Sequence, residues 1–155
     1  MFTFDLDGGS KGAWFPFVGS KITDQLDEKG NPVIEYFEPE ADAGRVQVSL
    51  LDGEILDEIY SKTRKPRIDF VKHPDTRKME RVDSFTQTAK QKREEFDLTW
   101  DAAIKDWKGI LDKDGKEIPC TYENKLKMMK IPVFARFITK CLDDLNKEKD
   151  SSEKN

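Results

Sequence analysis

The chain has 155 residues, with 27 Lys and Arg against 31 Asp and Glu, a formal net charge of -4, and 37% charged against 36% hydrophobic residues. Its length fits one domain with a modest core, and its acidic balance excludes phosphate neutralisation on a nucleic acid as the main task. No apolar run approaches a membrane span and the start lacks the basic and apolar regions of a signal peptide, so a soluble cytoplasmic protein is expected.

In chain order, residues 2–6 alternate apolar and polar as a half-buried strand does, and Gly8, Gly9 and Ser10 end it. Residues 14–18 (Trp-Phe-Pro-Phe-Val) predict a second strand, placed at an edge because Pro16 has no N–H for a ladder. The turn cluster 27–32 separates that region from residues 33–37, and a hairpin is the economical interpretation. Val46, Val48 and Leu50 alternate with Arg45, Gln47 and Ser49 as a further strand. Asp52 then caps a short helix carrying Ile55, Leu56 and Ile59 on one side. Residues 68–71 read as a strand, His73 to Thr76 as a turn, and residues 79–82 as the strand returning from it. Ser84 is the expected cap of a long helix reaching Trp107, about 35 Å at 1.5 Å per residue.

Several local signals agree over residues 95–145. Phe96, Trp100, Ala103, Ile104 and Trp107 recur at helical spacing, and Gly109 can supply the left-handed conformation at a helix end. Asp112, Asp114 and Gly115 mark a turn, Ile118 is extended before Pro119, and Thr121 caps a new helix with Glu123 in its first turn. A break at Ile131-Pro132 starts a last helix, with Val133, Phe134, Phe137, Ile138, Cys141, Leu142 and Leu145 on one face and Arg136, Lys140 and Asp143 facing away. The expected architecture is therefore α+β in one domain over 1–145: antiparallel strands and hairpins over 1–83, a long helix and a helical subdomain over 84–145, and a polar, disordered tail over 146–155.

Residues 4–8 (Phe-Asp-Leu-Asp-Gly) resemble the first motif of haloacid dehalogenase-like phosphatases, in which Asp5 would attack phosphorus and magnesium would be bound nearby. Gly9 stands where that family has Thr, and the element order supplies no parallel sheet, so the reading ranks last. Residues 112–123 begin like a calcium loop, but Glu117 occupies the position that requires glycine. His73 is the single histidine and lies in a polar turn, while Cys120 and Cys141 sit in apolar company as two reduced thiols. Arg64, Lys65, Arg67, Arg77, Lys78 and Arg81 form a basic strip beside Phe70 that Asp69, Asp75, Glu80 and Asp83 interleave, which suits a solvated hairpin better than a nucleic-acid site. No catalytic, cofactor or metal residues are expected. Trp14, Phe15, Phe17, Trp100 and Trp107 are the candidates for a protein-binding surface.

Trp100-Asp101, Ile104, residues 106–110, Asp112, Asp114-Gly115, residues 117–121, Glu123 to Lys125, Met128, Pro132, Phe134 and Leu142 together resemble the C-terminal half of small tailed-bacteriophage proteins described as tail assembly chaperones or as uncharacterised tail-region proteins. Trp14, Phe15 and Phe17, with Thr63, Lys65 and Phe70, are similar to the same group. That resemblance implies a non-enzymatic protein of the host bacterial cytoplasm that binds the tape-measure protein and recruits tail-tube subunits, with self-association open. A minor tail or head–tail connector protein is the alternative from another class.

Overall fold

In the computed structural model, which describes residues 12–154, an α+β chain divides into two compact units, Met1–Asp52 with Trp100–Asn155, and Gly53–Thr99. The strand expected at residues 2–6, and Asp5 with it, lies outside the described residues. The elements are β1 (Ala13–Pro16), β2 (Ser20–Leu26), β3 (Pro32–Tyr36), β4 (Arg45–Val48), α1 (Gly53–Thr63), β5 (Lys65–Lys72), β6 (Met79–Thr86), α2 (Ala89–Ala103), β7 (Ile104–Lys108), α3 (Tyr122–Met129) and α4 (Pro132–Lys154).

In the first unit, alternation decides which side chains go inward. β1, β4 and β7 form an antiparallel sheet with β4 in the middle, which leaves β1 on an edge as Pro16 requires. Phe15 lies opposite Val46, and Val46 opposite Trp107, so these three share the face that α4 covers with Phe134, Phe137, Ile138 and Cys141. Trp107 and Phe134 meet edge to face at 6.0 Å, and Phe17 meets Phe137 in the same way at 5.1 Å. β2 and β3 make the expected hairpin across residues 27–32, but its first strand is Ser20–Leu26 rather than residues 14–18. Arg136 was expected to face away from the core. It donates from Nε to the Ser20 hydroxyl at 2.8 Å, and the Tyr36 hydroxyl donates to its backbone carbonyl at 3.5 Å.

The long helix from Ser84 to Trp107 does not form, and both of its ends have a physical cause. Ser84 is in β6, opposite Arg67. The helix starts five residues later, where Thr88 and Gln91 bond reciprocally, Gln91 N–H to the Thr88 hydroxyl at 3.1 Å and Thr88 N–H to the Gln91 side chain at 2.9 Å. At the other end, Val48 pairs with Ile104 but Gln47 pairs with Asp106, so Lys105 is an extra residue in β7. That bulge turns Ile104 and Trp107, three apart, to the same side and imitates a helical period inside a strand. Gly109 does adopt a positive φ of 71°, at the end of this strand rather than of a helix.

From Asp112 to the start of the last helix at Pro132 the expectations hold. Asp112 accepts the Asp114 and Lys116 amides at 2.8 and 3.0 Å around Gly115, and the Thr121 hydroxyl caps α3 by accepting from Asn124 N–H at 3.2 Å. Pro132 opens α4, where its missing N–H costs nothing. The backbone of α4 continues to Lys154, through residues expected to be an unstructured tail. Lys125 ties α3 to the end of α2 through the Asp101 carboxylate at 3.0 Å and its carbonyl at 3.1 Å.

The second unit is built from α1, the β5–β6 hairpin and the body of α2. The hairpin pairs Lys65 with Thr86 through to Lys72 with Met79, without a slip. Its open end is held by one carboxylate: Glu95 accepts from Arg64 Nε, from the buried Thr63 hydroxyl at 3.2 Å and from Gln87 Nε2 at 3.2 Å. The Arg64 guanidinium also lies over the Tyr60 ring at 3.6 Å and the Phe85 ring at 4.0 Å. Hydrogen bonding to Arg64, more than any other contact, holds the Glu95 carboxyl below its ordinary range.

Candidate functional site

Among the described residues, each unit has an ordered surface that exposes apolar side chains, and the first unit also exposes Ile22 and Leu26 on its β2–β3 hairpin. In the second unit it is the β5–β6 hairpin. Residues opposite one another share a face, so Pro66, Ile68 and Phe70 lie on one side with Met79 and Phe85, and Val71 and Val82 lie on the other. Phe70 is 64% exposed and Met79 62%, and they are diagonal neighbours across the two strands. The sheet has only these two strands among the described residues. Half of the basic strip expected here is neutralised, because Arg67 bonds Asp69 at 2.8 Å, Arg81 bonds Asp83 at 3.1 Å and Arg64 is held by Glu95. What remains prominent is the apolar face.

In the first unit a groove of about 500 Å³ opens between the segment joining β3 to β4 and the region around α3 and the start of α4. Phe17, Ile110 and Phe134 line it as extensions of the core, while Phe37, Leu111 and Ile131 are exposed on its lips. Glu38, Glu40 and Asp42 also line it and are exposed, and none of the three forms an ion pair among the described residues. The base is drawn tight by backbone contacts: Phe17 N–H donates to the Gly44 carbonyl at 2.8 Å, and a Cβ on Gly44 would stand 2.6 Å from the Gly109 carbonyl oxygen.

The five residues expected at a binding surface are not brought together. Trp107 is 3% exposed, with its indole N–H donating to the Ile118 carbonyl at 2.6 Å, and it belongs to the core. Trp100 and Phe15 pack against that core from partly buried positions. Trp14 points to the opposite side of its strand from Phe15 and is 38% exposed, with Lys108 Nζ 5.4 Å from its ring centre. Phe17 alone among the five lines the groove. The exposed lips went unpredicted, although Phe37 followed by three acids in five residues, and Ile131 set before the helix-opening Pro132, were signals in the chain.

Chemically reactive groups are occupied structurally. His73 Nδ1 accepts the Asp75 and Thr76 amides at 3.2 and 3.4 Å within the hairpin turn. Burial pushes the Cys141 thiol up to about 12 and raises that of the half-buried Cys120 as well. Among the described residues, no group of three or more His, Cys, Asp and Glu side chains is arranged to hold a metal ion, and no helix is long and apolar enough to cross a membrane.

Among protein families, the one described as YdaY prophage protein matches residues 67–155, more than half of the chain. No curated protein and no solved structure matches it.

Proposed function

The chain belongs to the YdaY prophage protein family, and from that premise we propose that it is a non-enzymatic binding protein of the host cytoplasm, engaging the tape-measure protein and the tail-tube subunit while a phage tail is assembled. The observation that carries this reading is the exposed apolar face of the β5–β6 hairpin, centred on Phe70 and Met79. Such a ribbon offers a partner both apolar side chains and two strand edges that no further strand pairs among the described residues. Apolar helices of a growing tape measure need a surface of that kind to stay soluble before the tube encloses them. The acidic body of the chain, at -4, keeps a complex with apolar protein dispersed.

The experiment is co-expression of the full chain with the tape-measure and tube proteins encoded beside it, followed by pull-down and a solubility assay. Retention of a soluble tape measure is expected. Covering Phe70 is worth roughly 1.5–3 kcal/mol, so Phe70→Asp should weaken retention at least about tenfold while far-UV circular dichroism stays unchanged. Retention of neither partner, or equal retention by Phe70→Asp, would overturn the reading. The presence of the protein in mature particles would move it to the structural components of the virion, a minor tail or head–tail connector protein.

A further inference from the structure

We propose that the groove of the first unit is a second docking site, and that its occupant is a short amphipathic helix of a partner protein, with apolar anchors on one face and Lys or Arg flanking them. The groove and the hairpin lie in different units, so variants of one leave the other intact.

Three properties of the groove select this ligand class. Its interior is apolar, with Phe17, Ile110 and Phe134 at the base, and no Lys, Arg, His or hydroxyl side chain lines it. A small anionic metabolite would find no cationic or hydroxyl side chain to hold it, and the carboxylates that do line the groove would repel it. The lips extend the apolar surface outward through Phe37, Leu111 and Ile131, all three exposed, which suits a row of side chains repeating along a helix better than one buried group.

The charge at the margin then fixes the flanks. Glu38, Glu40 and Asp42 lie within five residues and carry three carboxylates with no cation paired to them among the described residues. Phosphates of a nucleic acid or an anionic lipid surface would be repelled there. Lysine and arginine are attracted, and their long apolar stems can lie along Phe37 and Ile131 while the charged ends reach the carboxylates. The segment carrying the acids is also braced, with Ala43 N–H bonded to the Glu40 carbonyl at 3.1 Å and Phe17 N–H to that of Gly44 at 2.8 Å. A groove whose wall is fixed before binding loses less freedom when a helix settles into it.

The test uses the full chain and two fluorescent helical peptides that share leucines at i, i+4 and i+7, one flanked by lysines and the other by glutamates. Fluorescence anisotropy at about 50 mM salt should show the lysine peptide binding at least about tenfold more tightly, with the preference shrinking at about 500 mM. Ile131→Asp should abolish binding of the lysine peptide. Leu111→Asp, at another exposed lip, should do the same if Ile131→Asp fails to fold. Combining Glu38→Gln, Glu40→Gln and Asp42→Asn should equalise the two peptides. Ile22→Ser, at an exposed β2 position outside the groove, should leave all of these affinities unchanged. Equal binding of the two peptides by the unaltered chain, or lysine-peptide binding that survives a folded lip variant, overturns the proposal. So does a dimer on size exclusion that Ile131→Asp dissociates, because the groove is then covered by a second copy.

Discussion

Substituting Trp107 separates a core role from a surface role by the quantity that changes. The indole is 3% exposed, packs edge to face on Phe134 and donates a 2.6 Å hydrogen bond to the Ile118 carbonyl. Trp107→Ala removes the ring and leaves a cavity between β7 and α4, at a cost of about 3–5 kcal/mol. Trp107→Phe keeps most of the apolar contact but forfeits the hydrogen bond. Since Ile118 is only partly buried, the loss is about 1–2 kcal/mol. Against a total stability of roughly 5–15 kcal/mol for a folded domain, the alanine variant is severely weakened. The assay is urea unfolding followed by far-UV circular dichroism, because the substitution removes a fluorophore. Trp14→Ala, at an exposed edge position, serves as the control and should cost under about 1 kcal/mol. If Trp107→Ala costs no more than that control, the indole is a surface residue and the bulged register of β7 is wrong.

Glu95→Gln tests the cluster at the open end of the hairpin through its pH dependence. The folded-state pKa of Glu95 is lowered from an ordinary 4.5, so its contribution is complete above about that value and fades as pH falls through the lower folded pKa. The variant should be less stable than the parent at pH 6, with the gap closing towards pH 3 in chemical denaturation, and a gap that widens on acidification would contradict the assignment. With its thiol pushed up to about 12, Cys141 should resist alkylation by iodoacetamide at pH 8 until the protein unfolds, while Cys120 reacts first, as peptide mapping by mass spectrometry would record. Gly44→Ala should cost about 1–3 kcal/mol in thermal or urea unfolding, because its Cβ would stand 2.6 Å from the Gly109 carbonyl oxygen and 2.7 Å from Ile110 Cδ1. An unchanged midpoint would mean that the backbones of this corner are further apart.

The parts of the fold that were legible in the sequence are those where one short-range interaction decides the outcome. The Asp112 turn, the Thr121 cap, the Pro132 start and the apolar face of α4 each follow from groups within four residues or from a single helical period. Residues 104–107 misled because a bulge places Ile104 and Trp107 on one side of a strand at a helical spacing, and only pairing with β4, almost sixty residues away, distinguishes the two. Ser84 misled because β6 takes it by pairing with Arg67. The surfaces proposed for binding were less legible still. Aromatic richness pointed to tryptophans, but large rings are also what a small core uses, and Trp107 went to that purpose. Exposure of Phe70 or Ile131 depends on which elements cover them, and no local pattern encodes that.

The second unit raises a physical question that its polar cluster answers. A two-stranded hairpin is marginal in water, and this one holds eight residues per strand with most of its apolar side chains exposed. Its order must come from one end. There, Glu95 gathers Arg64, Thr63 and Gln87, and Gln87 also donates to the Thr63 carbonyl at 3.1 Å, which joins the residues flanking both strands to α1 and α2. Phe85, near that end, lies beneath the Arg64 guanidinium. Phe70 is five residues beyond Lys65, about 17 Å along the strand at ~3.3 Å per residue, so it is remote from the groups that keep the hairpin folded. The contacts that fold the hairpin and the face proposed to bind a partner thus lie at opposite ends of one ribbon. Glu95→Gln should loosen the hairpin, and with it any partner, whereas Phe70→Asp should lose the partner while the hairpin stays paired, a difference that amide hydrogen exchange across β5 and β6 can read directly.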